Sequence, residues 1–290
     1  MKNPIFTGVC TALITPFWAD KINYPLALRL LQRQIDAGVP AVVLAGTTGE
    51  APTLSDEEKL TLFARCKAYA DDKCTIIAGT GSNSTAHTVA LSRAAQVVGA
   101  DALLVVTPYY NKATPEGLIA HYLSVAEAVD IPVIIYNVPG RTGLDIPVSV
   151  CQRLSMHPNI AGIKEASSDI TKIVALRSVC GEDFTVWSGN DEQIVPSMSV
   201  GGKGVISVLS NVLPEETVKM TNCALQGDYV TASKMQCQLY PLIKALFSEV
   251  NPIPVKAAME VLGYDCGGCR LPLCDISREN RERLEILLKN

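Results

Sequence analysis

Lys164 lies at the end of an apolar segment, a position where a charged side chain is unusual unless its amine has a chemical role. Residues 159–169 read NIAGIKEASSD, and the first part of this run is the short, β-branched pattern of a buried strand ending at Lys164. The polar residues 167–169 are typical of a turn into a helix. Burial favours a neutral amine, which is the nucleophile that condenses with a carbonyl group. The alternative is a lysine whose ammonium group extends into solvent past the strand end.

Polar side chains also follow other apolar segments of the chain. They are Thr47 and Thr48 after residues 41–44, Tyr110 after residues 102–106, Tyr136 at the end of residues 132–136, and Arg141 in the loop that follows. Hydroxyl groups can move protons near an imine, backbone N–H groups of a loop can hold a carboxylate, and a guanidinium can hold a second one. Each side chain alone also fits a turn cap, a rim tyrosine or a surface charge. Together they indicate Schiff-base chemistry on two small anionic substrates, with no metal or other cofactor.

Eight apolar segments alternate with helical patterns and would position these side chains. The segments are residues 8–14, 41–44, 74–78, 102–106, 132–136, 160–164, 184–187 and 204–207. This alternation predicts a parallel sheet, and eight units match a closed (β/α)8 barrel. An open doubly wound sheet is the alternative, but no Gly-x-Gly-x-x-Gly motif follows the first segment. In a barrel the loops after the strands share one face, so the polar side chains would converge there.

Helix signals occur between the apolar segments and dominate the end of the chain. Ser55 and Glu58 form the pattern of a capping box at a helix start. From Pro214 onward the chain has helical patterns and no further apolar strand segment. We therefore predict a catalytic barrel over residues 1–224 and a C-terminal helical domain over residues 225–290.

Composition narrows the class of protein. The chain has 290 residues, of which 48% are hydrophobic, and a formal net charge of -4 with acids and bases interspersed. The chain has no basic stripe of the kind that indicates nucleic acid binding. It also has no apolar run that reaches the roughly 18 residues of a membrane span. The N-terminus lacks the apolar segment of a signal peptide, so we predict a cytoplasmic protein.

Ten cysteines are scattered through the chain. Most stand singly in apolar or helical contexts, which is typical of core residues in a reducing compartment. Cys266, Cys269 and Cys274 are clustered and could form a metal site. A fourth ligand at the usual spacing is missing and no histidine lies nearby, which favours free thiols.

Five motifs, in order at the ends of predicted strands, closely resemble the dihydrodipicolinate synthase (4-hydroxy-tetrahydrodipicolinate synthase) family. They are Gly46–Glu50, Pro108–Asn111, Tyr136–Gly143, Gly162–Glu165 and Ser188–Asp191. The resemblance covers essentially the whole chain. It implies a (β/α)8 barrel with C-terminal helices, usually assembled as a homotetramer built from two dimers. It also implies condensation of pyruvate with L-aspartate 4-semialdehyde, the first committed step of lysine biosynthesis through diaminopimelate.

The same resemblance implies roles for the residues of the motifs. Lys164 would form the Schiff base, and Tyr136 would donate and accept protons at the imine. Thr47 would link Tyr136 to Tyr110 in a proton relay, with Tyr110 contributed by the neighbouring subunit across the tight dimer interface.

Substrate binding and specificity are implied in the same way. Thr48 would bind the pyruvate carboxylate and Arg141 the semialdehyde carboxylate, while Gly189 and Ile206 would line the pocket through backbone groups. N-acetylneuraminate lyase and keto-deoxy-sugar acid aldolases are the alternatives, since they share the lysine and the tyrosine. Arg141 and the Thr47–Thr48 pair favour the synthase because they suit a short substrate with its own carboxylate. A non-catalytic sensor of keto acids would not need the lysine or the tyrosine.

A regulatory cleft is the last implication of the resemblance. Many family members are inhibited by lysine, which binds between two subunits near a carboxylate that pairs with its ammonium group. Asn83 and Tyr109 stand at matching positions, but His87 occupies the position of the acidic residue and Lys59 a position that is often histidine or glutamate. We therefore expect lysine to inhibit this protein weakly or not at all.

Overall fold

The computed structural model describes residues 3–289, and within them eight parallel strands form a closed barrel. The strands are β1 (Gly8–Ala12), β2 (Phe17–Trp18), β3 (Lys21–Ile22), β4 (Ala41–Leu44), β5 (Thr75–Gly79), β6 (Ala102–Val106), β7 (Val133–Asn137), β8 (Ile160–Glu165), β9 (Thr185–Ser188) and β10 (Gly204–Ser207). Around the barrel the strands follow the order β1-β10-β9-β8-β7-β6-β5-β4, and β2 and β3 form a separate hairpin. The predicted (β/α)8 barrel is therefore confirmed.

Helices surround the barrel and form the end of the chain. They are α1 (Tyr24–Asp36), α2 (Asp56–Ala70), α3 (Thr85–Val97), α4 (Pro115–Ala126), α5 (Pro139–Thr142), α6 (Val148–Leu154), α7 (Ile170–Val179), α8 (Ile194–Ser199), α9 (Pro214–Leu225), α10 (Tyr229–Leu246), α11 (Ile253–Val261) and α12 (Arg278–Lys289). The predicted capping box begins α2: Ser55 N–H donates to Glu58 Oε2 over 2.9 Å, and Glu58 N–H donates to Ser55 Oγ over 3.1 Å. No helix within residues 3–289 is both long enough and apolar enough to cross a membrane.

The barrel strands are apolar on both faces, which explains their continuous hydrophobic runs. Side chains pointing outward, such as Val42, Ile135 and Ile163, are buried in the large cluster shared with the surrounding helices. Side chains pointing inward form a second buried cluster that includes Ile134 and Ile206. The interior is thus filled, and the loops after the strands are left to form the site.

Two aromatic rings stack on each other in the barrel interior. Phe6, just before β1, stacks on Trp187 of β9 with ring centroids 4.8 Å apart. The Trp187 indole N–H donates to the Phe6 carbonyl over 3.2 Å, so the buried polar group of this large ring is satisfied. Trp187 is in register with Lys164 of β8, so the stacked pair supports the strand that carries the predicted catalytic lysine.

Three local features differ from the sequence expectations. The predicted strand over residues 8–14 ends at Ala12, because the Ile14 N–H donates to the Asn211 side chain over 3.1 Å instead of continuing the strand ladder. The strand predicted to end at Lys164 continues to Glu165. The β2–β3 hairpin was not predicted, since strands of two residues are too short to show a periodicity.

Helix α9 crosses the predicted domain boundary at residue 224. Its Met220 and Ala224 are buried in the same apolar cluster as Ala232 of α10. The division into residues 1–224 and 225–290 stays a prediction.

Candidate active site

Lys164 lies in β8 directly beside Tyr136 of β7, with which its Cα is in register. Both residues are buried. The Lys164 amine is 4.4 Å from the centre of the Tyr136 ring. The only lysine predicted to be catalytic is therefore held inside the barrel against the predicted proton donor.

The residue after Lys164 fixes the end of its strand. Glu165 is buried, and its two carboxylate oxygens accept hydrogen bonds from Asn137 Nδ2 over 2.9 and 3.0 Å. The Ser167 N–H donates to the same carboxylate over 2.7 Å, and Lys172 Nζ lies 3.4 Å away. These bonds tie β8 to β7 and α7, so the backbone that carries Lys164 has little freedom to move.

A glycine leaves space for the lysine side chain. A Cβ atom at Gly189 would lie 3.1 Å from Lys164 Cε and 2.6 Å from Ala166 Cβ, so any other residue would displace one of them. The Gly189 N–H donates to the Glu165 carbonyl over 2.7 Å. Ile206 of β10 is buried in the interior cluster that also contains Tyr136. Both predicted lining residues thus lie close to the lysine and tyrosine.

The loop after β4 presents free backbone donors. The Thr47 carbonyl accepts from the Glu50 N–H over 3.1 Å, and the Gly49 carbonyl accepts from Thr15 Oγ1 over 2.7 Å. The N–H groups of Thr47 and Thr48 have no acceptor among residues 3–289. With the carbonyls engaged and the N–H groups free, the loop can bind a carboxylate.

Asn251, between α10 and α11, joins the two residues predicted to bind carboxylates. Its Nδ2 donates to Thr48 Oγ1 over 3.0 Å, and its backbone carbonyl accepts from an Arg141 guanidinium nitrogen over 3.1 Å. Sequence reasoning missed Asn251 because it lies in the predicted helical extension, and no local pattern indicates a contact with a residue 203 positions away.

The same loop is anchored to the C-terminal helices by buried charges. Lys256 Nζ donates to Glu50 Oε1 and to the Gly268 carbonyl, each over 2.8 Å. The Arg270 N–H donates to the other Glu50 oxygen over 2.9 Å. Glu50 and Lys256 are both buried, so neither charge is left unpaired away from water.

A cleft of about 530 Å³ connects the predicted active site with the predicted regulatory residues. Seven of the predicted site residues line this cleft: Thr47, Tyr136, Arg141, Lys59, Asn83, His87 and Tyr109. Thr48, Lys164, Gly189 and Ile206 lie deeper and are buried or half-buried. Tyr110 is separate: the residue is 88% exposed, and its backbone has a φ of 73°.

The predicted proton relay is not closed within one chain. No hydrogen bond joins the hydroxyl groups of Thr47, Tyr136 and Tyr110 among the described residues, 3–289. Catalytic hydrogen bonds often tighten only when substrate is bound. The three side chains therefore stay predicted members of a relay.

The part of the cleft lined by the predicted regulatory residues contains a carboxylate that sequence reasoning missed. Asp56 Oδ2 lies 2.7 Å from His87 Nε2, and Asp56 Oδ1 lies 3.8 Å from Lys59 Nζ. Burial lowers the pKa of Lys59, and the Asp56 charge acts in the opposite direction. Asp56 lies in the first turn of α2, where an acidic residue is common, so nothing in the local pattern indicates a contact with His87.

Asp191, in the last of the five motifs, is a buried carboxylate near the lysine. Its Oδ2 accepts from the N–H groups of Val208 and Leu209 over 2.9 and 2.8 Å. Burial raises the pKa of the Asp191 carboxyl, while hydrogen bonds and the charge of Lys164 act to lower it. Asp191 thereby fixes the turn after β10, and its carboxyl group is near enough to Lys164 to feel its charge.

The three clustered cysteines are free thiols. Cys266 is buried, Cys269 is half-buried and Cys274 is exposed. Burial raises the pKa of both Cys266 and Cys269 to about 12, which disfavours the thiolates that metals bind. Within residues 3–289, no group of three His, Cys, Asp or Glu side chains is placed to hold a metal ion.

Comparison with known proteins gives one consistent result. The chain matches the dihydrodipicolinate synthetase family over residues 5–290. The 4-hydroxy-tetrahydrodipicolinate synthase of Acetivibrio thermocellus is 47% identical over 290 residues, which cover 100% of this chain and 99% of that protein. The crystal structure of dihydrodipicolinate synthase from Thermotoga maritima has a TM-score of 0.96 and 42% identity, covering 98% of both chains.

A further solved structure, of a monomeric dihydrodipicolinate synthase variant, has a TM-score of 0.96 and 42% identity and covers 98% of this chain and 96% of that one. The similarity extends over the barrel and the C-terminal helices alike. These matches confirm the predicted resemblance, and the chain belongs to the dihydrodipicolinate synthetase family.

Proposed function

We propose that this protein is a lyase that condenses pyruvate with L-aspartate 4-semialdehyde through a Schiff base. The product would be 4-hydroxy-tetrahydrodipicolinate, formed in the first committed step of lysine biosynthesis through diaminopimelate. Membership of the family and the names of the relatives support this activity. The observation that carries it is the buried Lys164 amine, 4.4 Å from the centre of the Tyr136 ring.

The chemistry follows from the side chains around Lys164. Its amine attacks the keto carbon of pyruvate, water leaves, and a protonated imine forms. Loss of a methyl proton gives an enamine, whose carbon attacks the aldehyde of the second substrate. The amino group of that substrate then attacks the imine carbon, closes the ring and releases Lys164. Tyr136 transfers the protons at these steps.

Two groups of donors hold the substrates in this proposal. The free N–H groups of Thr47 and Thr48, with the Thr48 hydroxyl, bind the pyruvate carboxylate. Arg141 binds the semialdehyde carboxylate, with its guanidinium oriented by the Asn251 carbonyl. Gly189 and Ile206 shape the space between them, and no metal or other cofactor takes part.

Tyr110 completes the relay from a neighbouring subunit. The residue is 88% exposed on its own chain, and its backbone φ of 73° lies in the left-handed region. That conformation costs about 1–3 kcal/mol for a residue other than glycine, and a contact with a partner can offset the cost. We infer a tight dimer in which each Tyr110 reaches Thr47 of the other subunit, and two such dimers forming a homotetramer.

The cysteines support a cytoplasmic location. All ten are free thiols, and six of them are buried. Free thiols persist where the surroundings are reducing, as they are in the cytoplasm.

The proposed activity is tested by comparing substrates. Pyruvate with L-aspartate 4-semialdehyde should give steady-state turnover, and cleavage of N-acetylneuraminate should not be detected. Turnover of N-acetylneuraminate alone would show that the protein is a related lyase and not the synthase. A protein that binds pyruvate without turnover of either substrate would be a sensor.

Arg141→Ala is expected to weaken use of the semialdehyde far more than use of pyruvate. A hydrogen bond between a guanidinium and a carboxylate contributes about 1.5–3 kcal/mol, so the KM for the semialdehyde should rise tenfold or more. Steady-state kinetics with each substrate varied in turn measures this. Arg153→Ala, which removes an exposed arginine of α6, is the matched control. Equal losses for both substrates would indicate a collapsed site instead.

Lysine is expected to inhibit weakly or not at all at millimolar concentration. The carboxylate in that part of the cleft, Asp56, is already engaged by His87 and Lys59. A cationic inhibitor would also meet the Lys59 amine, and two like charges near 4 Å cost about 1 kcal/mol even in water. A lysine titration of the steady-state rate measures the effect.

The variant His87→Glu adds a carboxylate to the cleft and should strengthen inhibition by lysine. Strong inhibition of the unmodified protein by sub-millimolar lysine would contradict the expectation. It would mean that Lys59 and His87 turn away to admit the ligand.

A further inference from the structure

Asn251 is placed by the fold between the two carboxylate-binding residues, and its side chain makes one hydrogen bond. The residue is 6% exposed. Its Nδ2 donates to Thr48 Oγ1, and its Oδ1 has no hydrogen-bond partner among residues 3–289. Burying an unpaired carbonyl oxygen is unfavourable. The side-chain amide is therefore buried at a cost in free energy, and the hydrogen bond that it makes there is the one to Thr48.

The direction of that bond determines what the Thr48 hydroxyl can do. A threonine hydroxyl has one proton to donate and lone pairs that accept. Because the Asn251 amide donates to Oγ1, it occupies a lone pair and leaves the hydroxyl proton free. The proton can then be directed at a substrate carboxylate, beside the free N–H groups of the same loop.

We propose that Asn251 is a positioning residue that orients the Thr48 hydroxyl for the pyruvate carboxylate, and that its side chain thereby sets the affinity for pyruvate. This inference rests on the proposed function. Asn251 is not itself a catalytic residue, since it acts through Thr48.

The contact with Arg141 makes the inference specific to one substrate. Arg141 is bound by the backbone carbonyl of Asn251, which every substituent at this position retains. Changes to the side chain should therefore alter the binding of pyruvate and leave the binding of the semialdehyde nearly intact. A general loss of structure would weaken the binding of both substrates.

The test replaces the amide by groups that cannot donate near neutral pH. Asn251→Asp is nearly isosteric, but its carboxylate accepts the Thr48 proton and brings a negative charge toward the substrate. Asn251→Ala removes the donor without adding charge. For both variants we expect the pyruvate concentration that gives half-maximal borohydride trapping on Lys164 to rise about tenfold or more. The KM for the semialdehyde should change less than about threefold, since Arg141 keeps its partner.

The pH dependence of pyruvate affinity gives a second readout, which would not change if the role of Asn251 were only structural. A protonated aspartic acid can donate to Thr48 as the amide does, so the loss of pyruvate affinity in Asn251→Asp should diminish as pH falls. Asn251→Ala has no group to protonate, and its loss relative to the unmodified protein should stay constant. Asn222→Asp, on the exposed side of α9, controls for added charge.

Each outcome separates the inference from the proposed function. An unchanged pyruvate concentration for half-maximal trapping in both variants would overturn the inference. Pyruvate affinity that is retained in Asn251→Asp and lost in Asn251→Ala would also overturn it, because it would mean that the Asn251 side-chain oxygen, and not its N–H group, faces Thr48. Equal weakening for both substrates would overturn it too. If the unmodified protein forms no adduct with pyruvate, the proposed function itself fails.

Discussion

Lys164→Ala is expected to abolish the pyruvate adduct that borohydride traps on the unmodified chain. Reduction of an imine leaves a stable covalent product, and alanine has no amine with which to form the imine. Intact-mass spectrometry should show one pyruvate-derived addition per chain of the unmodified protein, and peptide mapping should place it on Lys164. Turnover should fall to background in the variant.

The control for this experiment is Lys219→Ala, which removes an exposed lysine of α9 and should leave the adduct and the rate unchanged. An adduct that persists in Lys164→Ala, or that maps to another lysine, would exclude the Schiff-base mechanism proposed for this site. Active protein without any adduct would exclude it as well.

Tyr136→Phe is expected to slow turnover by about 10²–10⁴-fold, the usual effect of losing one acid–base group. The ring beside the Lys164 amine is retained, so packing in the barrel interior should be nearly unchanged. Steady-state kcat measures the loss, and thermal unfolding checks that the fold is intact. Tyr240→Phe, which changes an exposed tyrosine of α10, is the matched control. Turnover close to that of the unmodified protein would rule out proton transfer by Tyr136.

The sequence was sufficient for the features that depend on local patterns. The barrel strands are continuous apolar runs because both of their faces are buried, and such runs are visible without a structure. The capping box at Ser55 is equally local, since its two hydrogen bonds join residues three positions apart. Lys164 was recognised because an amine at the end of an apolar run conflicts with burial.

The features that escaped the sequence depend on contacts between distant parts of the chain. Asn251 lies 203 positions from Thr48, and nothing near it predicts where its amide points. Asp56 lies in a cleft with His87 only because α2 and α3 pack side by side, 31 positions apart in the chain. Tyr110 is exposed on its own chain, and its proposed partner belongs to another subunit.

The anchoring of Glu50 has a consequence for the order in which the protein becomes active during its synthesis. Glu50 closes the loop that carries Thr47 and Thr48, and its carboxylate is bound by Lys256 and Arg270. A ribosome releases the barrel strands first and these two partners last. Until they emerge, the Glu50 carboxylate has no cation to pair with in a buried position. Removing one partner of a buried ion pair costs about 3–5 kcal/mol of stability. A nascent chain can therefore complete its barrel strands well before its substrate loop takes its final form.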